Sequence, residues 1–381
     1  MHIFDNNDKV APLIQRSISL QIGRDFARAQ QGEIATAEQQ ESEQHFRRRE
    51  LLAVEEKAQK DKIIKEHGKN HFKAQVMEKF YSRVLDKVDE TFESKDRLFS
   101  TTLAIEDAAP QILEVLSLRA ASVNRITKLT KTLPWLCTDI VTLVNKPQYR
   151  KRADVQVSEP SLAMSYIGLD NLKLIMPTFL LKHWLPNSTA PFPMLKRRLW
   201  NDSLSVALAA QKLAQAQDFD DYTAFAAGML SNIGILTVTR CFLTTHNDMY
   251  NRELKQAYEK RDKKLHDVMT EFDSCPSLLL EQIQTRADKV TSDMVELMHF
   301  ERLAITEAMF DIAYGTSQRN MSPLGKILTK AKAYVAFRNL AKDDMISSDE
   351  AKTLLAAAKL TPADIELLKK SDIDHLKLNF K

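Results

Sequence analysis

The chain has 381 residues, enough for two or three structural units with a sizeable hydrophobic core. Its 54 basic and 51 acidic residues leave a net charge of +3, without the clustered basic excess typical of nucleic-acid-binding proteins. Only eight glycines occur, while residues of high helix propensity are abundant, so the composition predicts an all-α protein.

Cysteine usage and hydropathy favour a cytoplasmic protein. Cys137, Cys241 and Cys275 are far apart and form no CxxC pair, which speaks against a structural zinc site or a disulfide framework. The N-terminus has no basic-then-apolar signal pattern. The most apolar run, residues 172–181, is short and is interrupted by a lysine and a proline. We therefore expect no membrane-spanning segment.

The first predicted unit, residues 1–99, is a charged helical arm. Residues 33–67 are dense in Glu, Gln, Lys and Arg, which favours a solvated helix. Their apolar positions keep no regular heptad, so an oligomerisation stalk and a surface arm both remain open. Apolar residues then recur every fourth position, which predicts an amphipathic helix whose face packs against the next domain or a partner subunit. These residues are Phe72, Val76, Phe80, Val84, Val88 and Phe92.

The second predicted unit, residues 100–320, is a succession of apolar helices with short breaks. Gly168 predicts the end of one of them. Segments 202–217 and 221–238 are each predicted to be a helix that begins at an acidic or hydroxyl cap. Residues 247–267 are strongly charged, which indicates a solvated segment.

The third predicted unit, residues 321–381, is a C-terminal helical segment. Ser347 and Glu350 have the spacing of a capping box. Thr361 is predicted to cap the next helix, with Pro362 at its first position. These signals predict structure and carry no information about chemistry.

Several enzymatic motifs are absent from the sequence. No GxGxxG or GxxxxGK loop occurs to cradle a phosphate group, and no GxSxG nucleophile elbow occurs. These absences exclude nucleotide-dependent phosphoryl transfer by those folds and leave metal-assisted hydrolysis as the enzymatic chemistry to consider.

Three segments in order resemble the HDOD domain, a relative of the HD metal-dependent phosphohydrolases. Residues 126–149 read ITKLTKTLPWLCTDIVTLVNKPQY, with Asn145 at the family's asparagine position and Lys146 where serine is usual. Residues 155–176 read VQVSEPSLAMSYIGLDNLKLIM. The third segment pairs LWNDSLSVALAAQKLA with AFAAGMLSNIGIL at the family's spacing. The resemblance, over roughly 122–314, implies an HD/HDOD-like helical fold and a signalling role that depends on contact.

The resemblance also locates the positions where the parent enzymes bind metal, through an early His, a His-Asp pair and a later Asp. Here the early His position is Asp202, and the His-Asp pair is Ser231-Asn232. Serine and asparagine are weak ligands for ions that imidazole and carboxylate groups normally hold and that generate hydroxide for catalysis. The resemblance therefore implies a scaffold that has lost its metal, with no cofactor and no catalytic residue.

Two interpretations remain open for the residues at these positions and beside them, Asp202, Ser203, Ser231 and Asn232. They cap helices and satisfy buried hydrogen bonds, or they form a residual polar pocket that binds a small ligand or a peptide. Their spacing does not distinguish the two.

Three other features could bear on function. His299 lies in an apolar helical pattern and is interpreted as a packed core residue rather than a ligand. The clusters YRKRAD (149–154) and LKRRLW (195–200) place cations beside aromatic residues, as in contacts to phosphate or an RNA base. Solvated charge or pairing within the chain is the alternative interpretation of both clusters.

We predict a non-catalytic bacterial signal-transduction protein whose HDOD domain acts by contact with a protein partner or a small ligand. A homodimer formed through the N-terminal helices is part of this prediction, and neither a membrane nor a nucleic acid is the expected partner. Two alternatives remain open: a metal-dependent phosphohydrolase with a remodelled site, and a regulator that binds RNA or another nucleic acid.

Overall fold

The computed structural model describes four stretches of the chain, and all regular structure within them is helical, which confirms the all-α prediction. The described residues are 9–31, 53–149, 156–272 and 275–378, with side chains described from residue 70 onward in the second stretch. The charged segment 33–67, predicted to be a solvated helix that forms either an oligomerisation stalk or a surface arm, therefore lies outside the described residues up to residue 52 and is described as backbone alone beyond it.

Seventeen helices of seven or more residues occur in the described ranges. The first six are α1 (Ala11–Ile22), α2 (Arg24–Gln30), α3 (Ala53–Phe92), α4 (Ala108–Ser117), α5 (Val123–Thr130) and α6 (Pro134–Val144). A helical turn, Lys95–Arg97, and a π-helical segment, Leu98–Leu103, join α3 to α4.

The central helices carry most of the core. They are α7 (Pro160–Ile167), α8 (Leu169–Trp184), α9 (Leu195–Ala216), α10 (Asp221–Leu230), α11 (Ile233–Glu259) and α12 (Lys263–Thr270). The last five are α13 (Pro276–Leu297), α14 (Thr306–Ala313), α15 (Pro323–Lys342), α16 (Ser348–Ala357) and α17 (Pro362–Lys370). The most extensive packing joins α9 to α10, α11 to α13 and α9 to α15.

The N-terminal helix α1 belongs to the same core as these central helices. It packs against α9, α13 and α15 and buries Leu13, Ile14, Ile18 and Ile22. The predicted unit boundary at residue 99 stays a prediction, but α1 itself is a core element rather than part of a solvated arm.

The apolar face of α3 is filled by the same chain, which settles the question that its sequence left open. Phe80, Val84 and Val88 are fully buried. The Phe80 ring makes edge contacts with His246 on α11 and with Phe272, at centroid distances of 5.4 and 5.3 Å. The second half of α3 is therefore part of the fold.

Some helix ends lie where the sequence predicted them, and others do not. Gly168 ends α7 with a φ of 76°, a left-handed conformation that glycine adopts without a Cβ penalty. Both C-terminal caps are confirmed, with capping boxes at Ser347 and Thr361. The single helix predicted over 221–238 is wrong, because the structure divides it into α10 and α11.

Two other boundaries differ from prediction. Helix α9 begins at Leu195, seven residues before the predicted start at Asp202, and α11 continues to Glu259 through much of the segment predicted to be solvated. In the described residues one helical stretch, Asp221–Glu259, is long and apolar enough to cross a membrane, with 89% of its most apolar window buried inside the protein. Buried core helices share that property.

Candidate functional site

Two glycines determine the geometry of the α10–α11 junction. A Cβ at Gly228 would lie 2.4 Å from the Ala207 backbone, and a Cβ at Gly234 would lie 1.8 Å from the Ala287 carbonyl oxygen. The helix pairs α9–α10 and α11–α13 therefore approach closely only because both positions lack a side chain. The Gly-x-x-x-x-x-Gly frame thus holds the residues between the glycines against three neighbouring helices.

Asn232 lies at this junction and links groups of opposite charge. Its Nδ2 donates to Oδ2 of Asp202 at 3.0 Å and lies 3.4 Å from Oγ of Ser203. Its Oδ1 accepts a hydrogen bond from Nζ of Lys332 at 2.9 Å. An amide can do both because it carries a donor and an acceptor on one side chain.

Lys332 reaches the junction from α15. Its side chain is buried, and its Nζ also donates to the backbone carbonyl of Ser231 at 2.9 Å. That carbonyl is one of the groups that a helix end leaves without an intrahelical partner. The Lys332 ammonium therefore brings a positive charge to the α10–α11 junction and gives the Ser231 carbonyl a hydrogen-bond donor.

Asp202 is held from two sides. Its Oδ2 accepts from Asn232, and its Oδ1 accepts from Nδ2 of Asn339 on α15 at 3.0 Å. Burial raises the pKa of this carboxyl, while the charge of Lys332 and the hydrogen bonds from the two amides act in the opposite direction.

The Lys332 ammonium is also affected by its surroundings. Burial lowers its pKa, and the carboxylates of Asp288 and Asp202 oppose that shift. The cluster is thus a buried lysine balanced by two carboxylates, with Asn232 bridging to one of them. A buried charge of this kind is tolerated only where it is paired and hydrogen-bonded.

The structure brings the side chains of three of the four predicted site residues together, and the side chain of the fourth, Ser231, bonds elsewhere. Asp202, Ser203 and Asn232 share hydrogen bonds or close polar contacts. The Ser231 hydroxyl instead donates to the Gly228 carbonyl oxygen at 2.8 Å, and only its backbone carbonyl faces Lys332. Helix-end hydrogen bonding therefore accounts for Ser231, as one of the two sequence interpretations proposed.

Helix α1 closes the space beside the cluster. A cavity of about 40 Å³ is lined by Asp202, Asn232 and Lys332, with Ile18 and Gln21 of α1 on another side. A water molecule needs about 10–15 Å³ of such volume, so the cavity accommodates a few waters and no phosphoester substrate. The Gln21 Oε1 is buried without a hydrogen-bond partner.

The residues of the cluster do not fit a divalent metal ion. Across the described ranges, no group of three His, Cys, Asp or Glu side chains is arranged to hold one. The carboxylate oxygens of Asp202 and the amide oxygen of Asn232 are already bound by an ammonium and two amides. Hard divalent cations need several free oxygen ligands, mainly carboxylates.

The structure bears differently on His299 and on the two basic clusters that the sequence singled out. The interpretation of His299 as a core residue is wrong, because it is exposed just after α13 with a left-handed φ of 51°. Residues 150–155, which include most of the YRKRAD cluster, lie outside the described residues. In the LKRRLW cluster, Arg198 donates to the Leu20 carbonyl of α1.

A comparison with protein-family models assigns the central part of the chain. Residues 103–276 match the model of the HDOD domain. The chain contains an HDOD domain. This finding confirms the resemblance drawn from the sequence, and it places Asp202, Ser231 and Asn232 inside the HDOD domain and Lys332 outside it.

A comparison with solved structures found a crystal structure of a protein from Shewanella amazonensis SB2B that is provisionally described as a phosphohydrolase. The two chains are 17% identical, the TM-score is 0.42, and the match covers 76% of this chain and 90% of that chain. No curated protein matches this chain significantly.

Sequence reasoning missed Lys332 and Asn339, which complete the cluster from beyond the HDOD domain. One signal was present, because Lys332 follows Leu328 by four residues and precedes Val335 by three, on the apolar face of a predicted helix. A lysine at a core position of a helix calls for a buried acceptor.

Proposed function

We propose that this protein is a non-catalytic regulator in which the HDOD domain acts by contact and the Lys332 ammonium replaces the positive charge of a metal ion. The observation that carries the proposal is the pair of 2.9 Å hydrogen bonds from Lys332 to Asn232 and to the Ser231 carbonyl. A divalent cation on the same oxygens would be repelled by the ammonium.

The small size of the cavity supports the same conclusion. Hydrolysis of a phosphoester needs room for the substrate and for an activated water beside the metal. The cavity that Asp202 and Asn232 share is about 40 Å³ and is bounded by α1, and a neighbouring cavity lined by Asp202 but not by Asn232 is about 160 Å³. Both are smaller than the roughly 300 Å³ of the smallest typical small-molecule sites. Turnover in the shared cavity would require both Lys332 and α1 to move away.

Metal binding and turnover can be measured on the same sample. The purified full-length protein is expected to contain no stoichiometric Mn, Fe, Mg or Zn and to leave bis-p-nitrophenyl phosphate intact when each metal is added. An equimolar metal content, together with turnover that disappears in Asp202→Ala, would establish the phosphohydrolase alternative instead.

The partner surface is a separate part of the proposal. The buried face of α3 is part of the hydrophobic core. Deleting the N-terminal arm as far as residue 95 would therefore unfold the protein and would not test whether the arm binds a partner. Replacing residues 33–69 by a flexible Gly/Ser linker leaves that face in place. We expect this variant to stay folded and to lose both self-association and the proteins that co-purify from native lysate. Retention of both would exclude the arm as the contact surface.

A further inference from the structure

A second cavity, of about 520 Å³, opens where α6, α8, α9 and the segment after α17 meet. Its wall is mostly apolar and includes six aliphatic side chains, Leu143, Ile175, Leu185, Leu204, Leu376 and Leu378. Cavities of this volume are typical of small-molecule sites. We call it the Trp200 groove, after the indole that lines it.

Three aromatic side chains line the Trp200 groove. Tyr149 follows α6, Phe179 lies on α8, and Trp200 lies on α9. All three are half-buried, because each packs against the hydrophobic core with part of its surface and leaves the rest exposed. Aromatic rings supply much of the apolar contact area in ligand sites.

Three cations line the same groove. Lys182 lies one turn after Phe179 on α8, while Lys196 and Arg197 lie in the first turn of α9, one turn before Trp200. In the part of the chain that the structure describes, no hydrogen bond or ion pair engages these three side chains. The groove therefore combines an apolar interior with three cations that have no ion-pair partner among the described residues.

The groove is distinct from the polar cluster around Lys332. Helix α9 lines both cavities. Trp200 and Asp202 are two residues apart on this helix, so their side chains are about 200° apart around its axis and lie on nearly opposite sides. Ligand binding in the groove therefore requires no change at Asp202, Ser231 or Asn232. The proposal of a ligand site in the groove does not depend on the proposed loss of catalysis.

We propose that the Trp200 groove binds a small anionic amphiphile, a molecule with an aliphatic or aromatic body and one carboxylate or phosphate headgroup. The leucine-rich wall matches the body, and Lys182, Lys196 and Arg197 match the headgroup. A nucleotide fits less well, because the lining offers few polar groups that could read the edges of a base.

The probes are dodecyl phosphate and dodecanoate, used below their micellar concentrations and titrated by calorimetry into the full-length protein. Both are expected to bind saturably with one site per chain. Trp200 fluorescence is expected to change on binding, and Trp200→Phe is expected to remove that change while the calorimetric signal persists. Higher salt is expected to weaken binding, because the headgroup contacts are exposed.

The triple variant Lys182→Gln, Lys196→Gln and Arg197→Gln removes the positive charge without touching the apolar wall. It is expected to weaken binding by about tenfold or more. A matched control, Lys255→Gln, Lys260→Gln and Lys352→Gln, removes the same charge at exposed positions elsewhere and is expected to bind as the unmodified protein does. Circular dichroism and urea denaturation verify that all variants are folded.

Several results would overturn the proposal. They are absence of saturable binding, equal affinity for dodecyltrimethylammonium, and unchanged affinity in the triple variant. Binding of a nucleoside monophosphate without binding of dodecyl phosphate would assign the groove to nucleotides instead. Association only with vesicles that contain anionic phospholipid would assign it to a membrane surface.

Discussion

The Nζ of Lys332 lies 2.9 Å from Oδ1 of Asn232, and the amide nitrogen of that asparagine lies 3.0 Å from Asp202. A lysine from outside the HDOD domain is thus linked to a carboxylate inside it through Asn232, one of the positions that the sequence resemblance assigns to the metal ligands of the parent enzymes. The contact explains why an asparagine is suited to this position, since an aspartate offers no donor to Asp202.

Removing the lysine should destabilise the fold. Lys332→Met keeps much of the side-chain volume but removes the ammonium that faces Asp202 and Asp288 and leaves the Ser231 carbonyl without its donor. We expect the free energy of unfolding to fall by about 3 kcal/mol, as when one partner of a buried pair is removed. Urea denaturation measures the change. Lys342→Met, at an exposed position of the same helix, should change it by less than about 0.5 kcal/mol.

Restoring an acidic residue at the junction should introduce repulsion. Asn232→Asp places a second carboxylate beside Asp202, whose pKa burial already raises. Adjacent carboxylates raise each other's pKa, and the single Lys332 ammonium then faces Asp202, Asp288 and the new carboxylate. The folded variant therefore holds a proton that the unfolded chain releases. Its stability should therefore approach that of the unmodified protein at acidic pH and fall below it as pH rises through the raised pKa.

Urea denaturation at several pH values measures this difference. Asn201→Asp, at the exposed position next to Asp202, serves as the matched control and should show little pH dependence of its own. A deficit of Asn232→Asp that grows on acidification would contradict the arrangement described.

The close approach at Gly234 predicts a steric effect. Gly234→Ala gains helix propensity of about 1 kcal/mol, but its Cβ would lie 1.8 Å from the Ala287 carbonyl and 2.5 Å from Thr291 Oγ1. The α11–α13 pair must separate, at a cost of about 3 kcal/mol. We expect a net loss of stability in thermal and urea unfolding. Gly23→Ala, whose Cβ would meet its nearest neighbour at 3.6 Å, should be tolerated.

His246 should make the α3 contact sensitive to acid. The imidazole lies against Phe80 and Tyr250, and burial lowers its pKa from 6.5, while a hydrogen bond with Asn247 opposes the shift. Because the folded pKa is depressed, the contribution of His246 to stability is complete above pH 6.5 and is lost as pH falls through the folded value.

The variant His246→Phe cannot take up a proton. Its stability should fall less than that of the unmodified protein between pH 6.5 and more acidic conditions. His71→Phe, at an exposed position of α3, is the control and should leave the acid response as it was. An acid response that is identical in all three proteins would show that His246 is not its source.

The sequence predicted the helical fold and the HDOD domain because both depend on local propensity and on motifs that neighbouring residues carry. It did not predict the break at Ser231-Asn232, since the apolar pattern continues across it and only packing at Gly228 and Gly234 determines the junction. It did not predict Lys332 as a site residue, because a lysine on an apolar helix face indicates a buried acceptor but does not show that Asn232, 100 residues away, supplies it.

Helix α1 was missed for a related reason. Its buried face includes Ser17, Ser19 and Gln21 along with its leucines and isoleucines, so the sequence pattern does not separate an apolar side from a polar one. Ser17 and Gln21 are buried because α1 covers the polar cluster with this side rather than a purely apolar surface.

Anomalous diffraction from crystals of the full-length protein grown with MnCl₂ tests the proposed replacement of a metal ion by Lys332 most directly. We expect the Lys332 ammonium to lie between Asn232 and the Ser231 carbonyl, with no anomalous peak at coordination distance from Asp202. A manganese peak bound to an Asp202 oxygen, with Lys332 displaced from Asn232, would contradict the account.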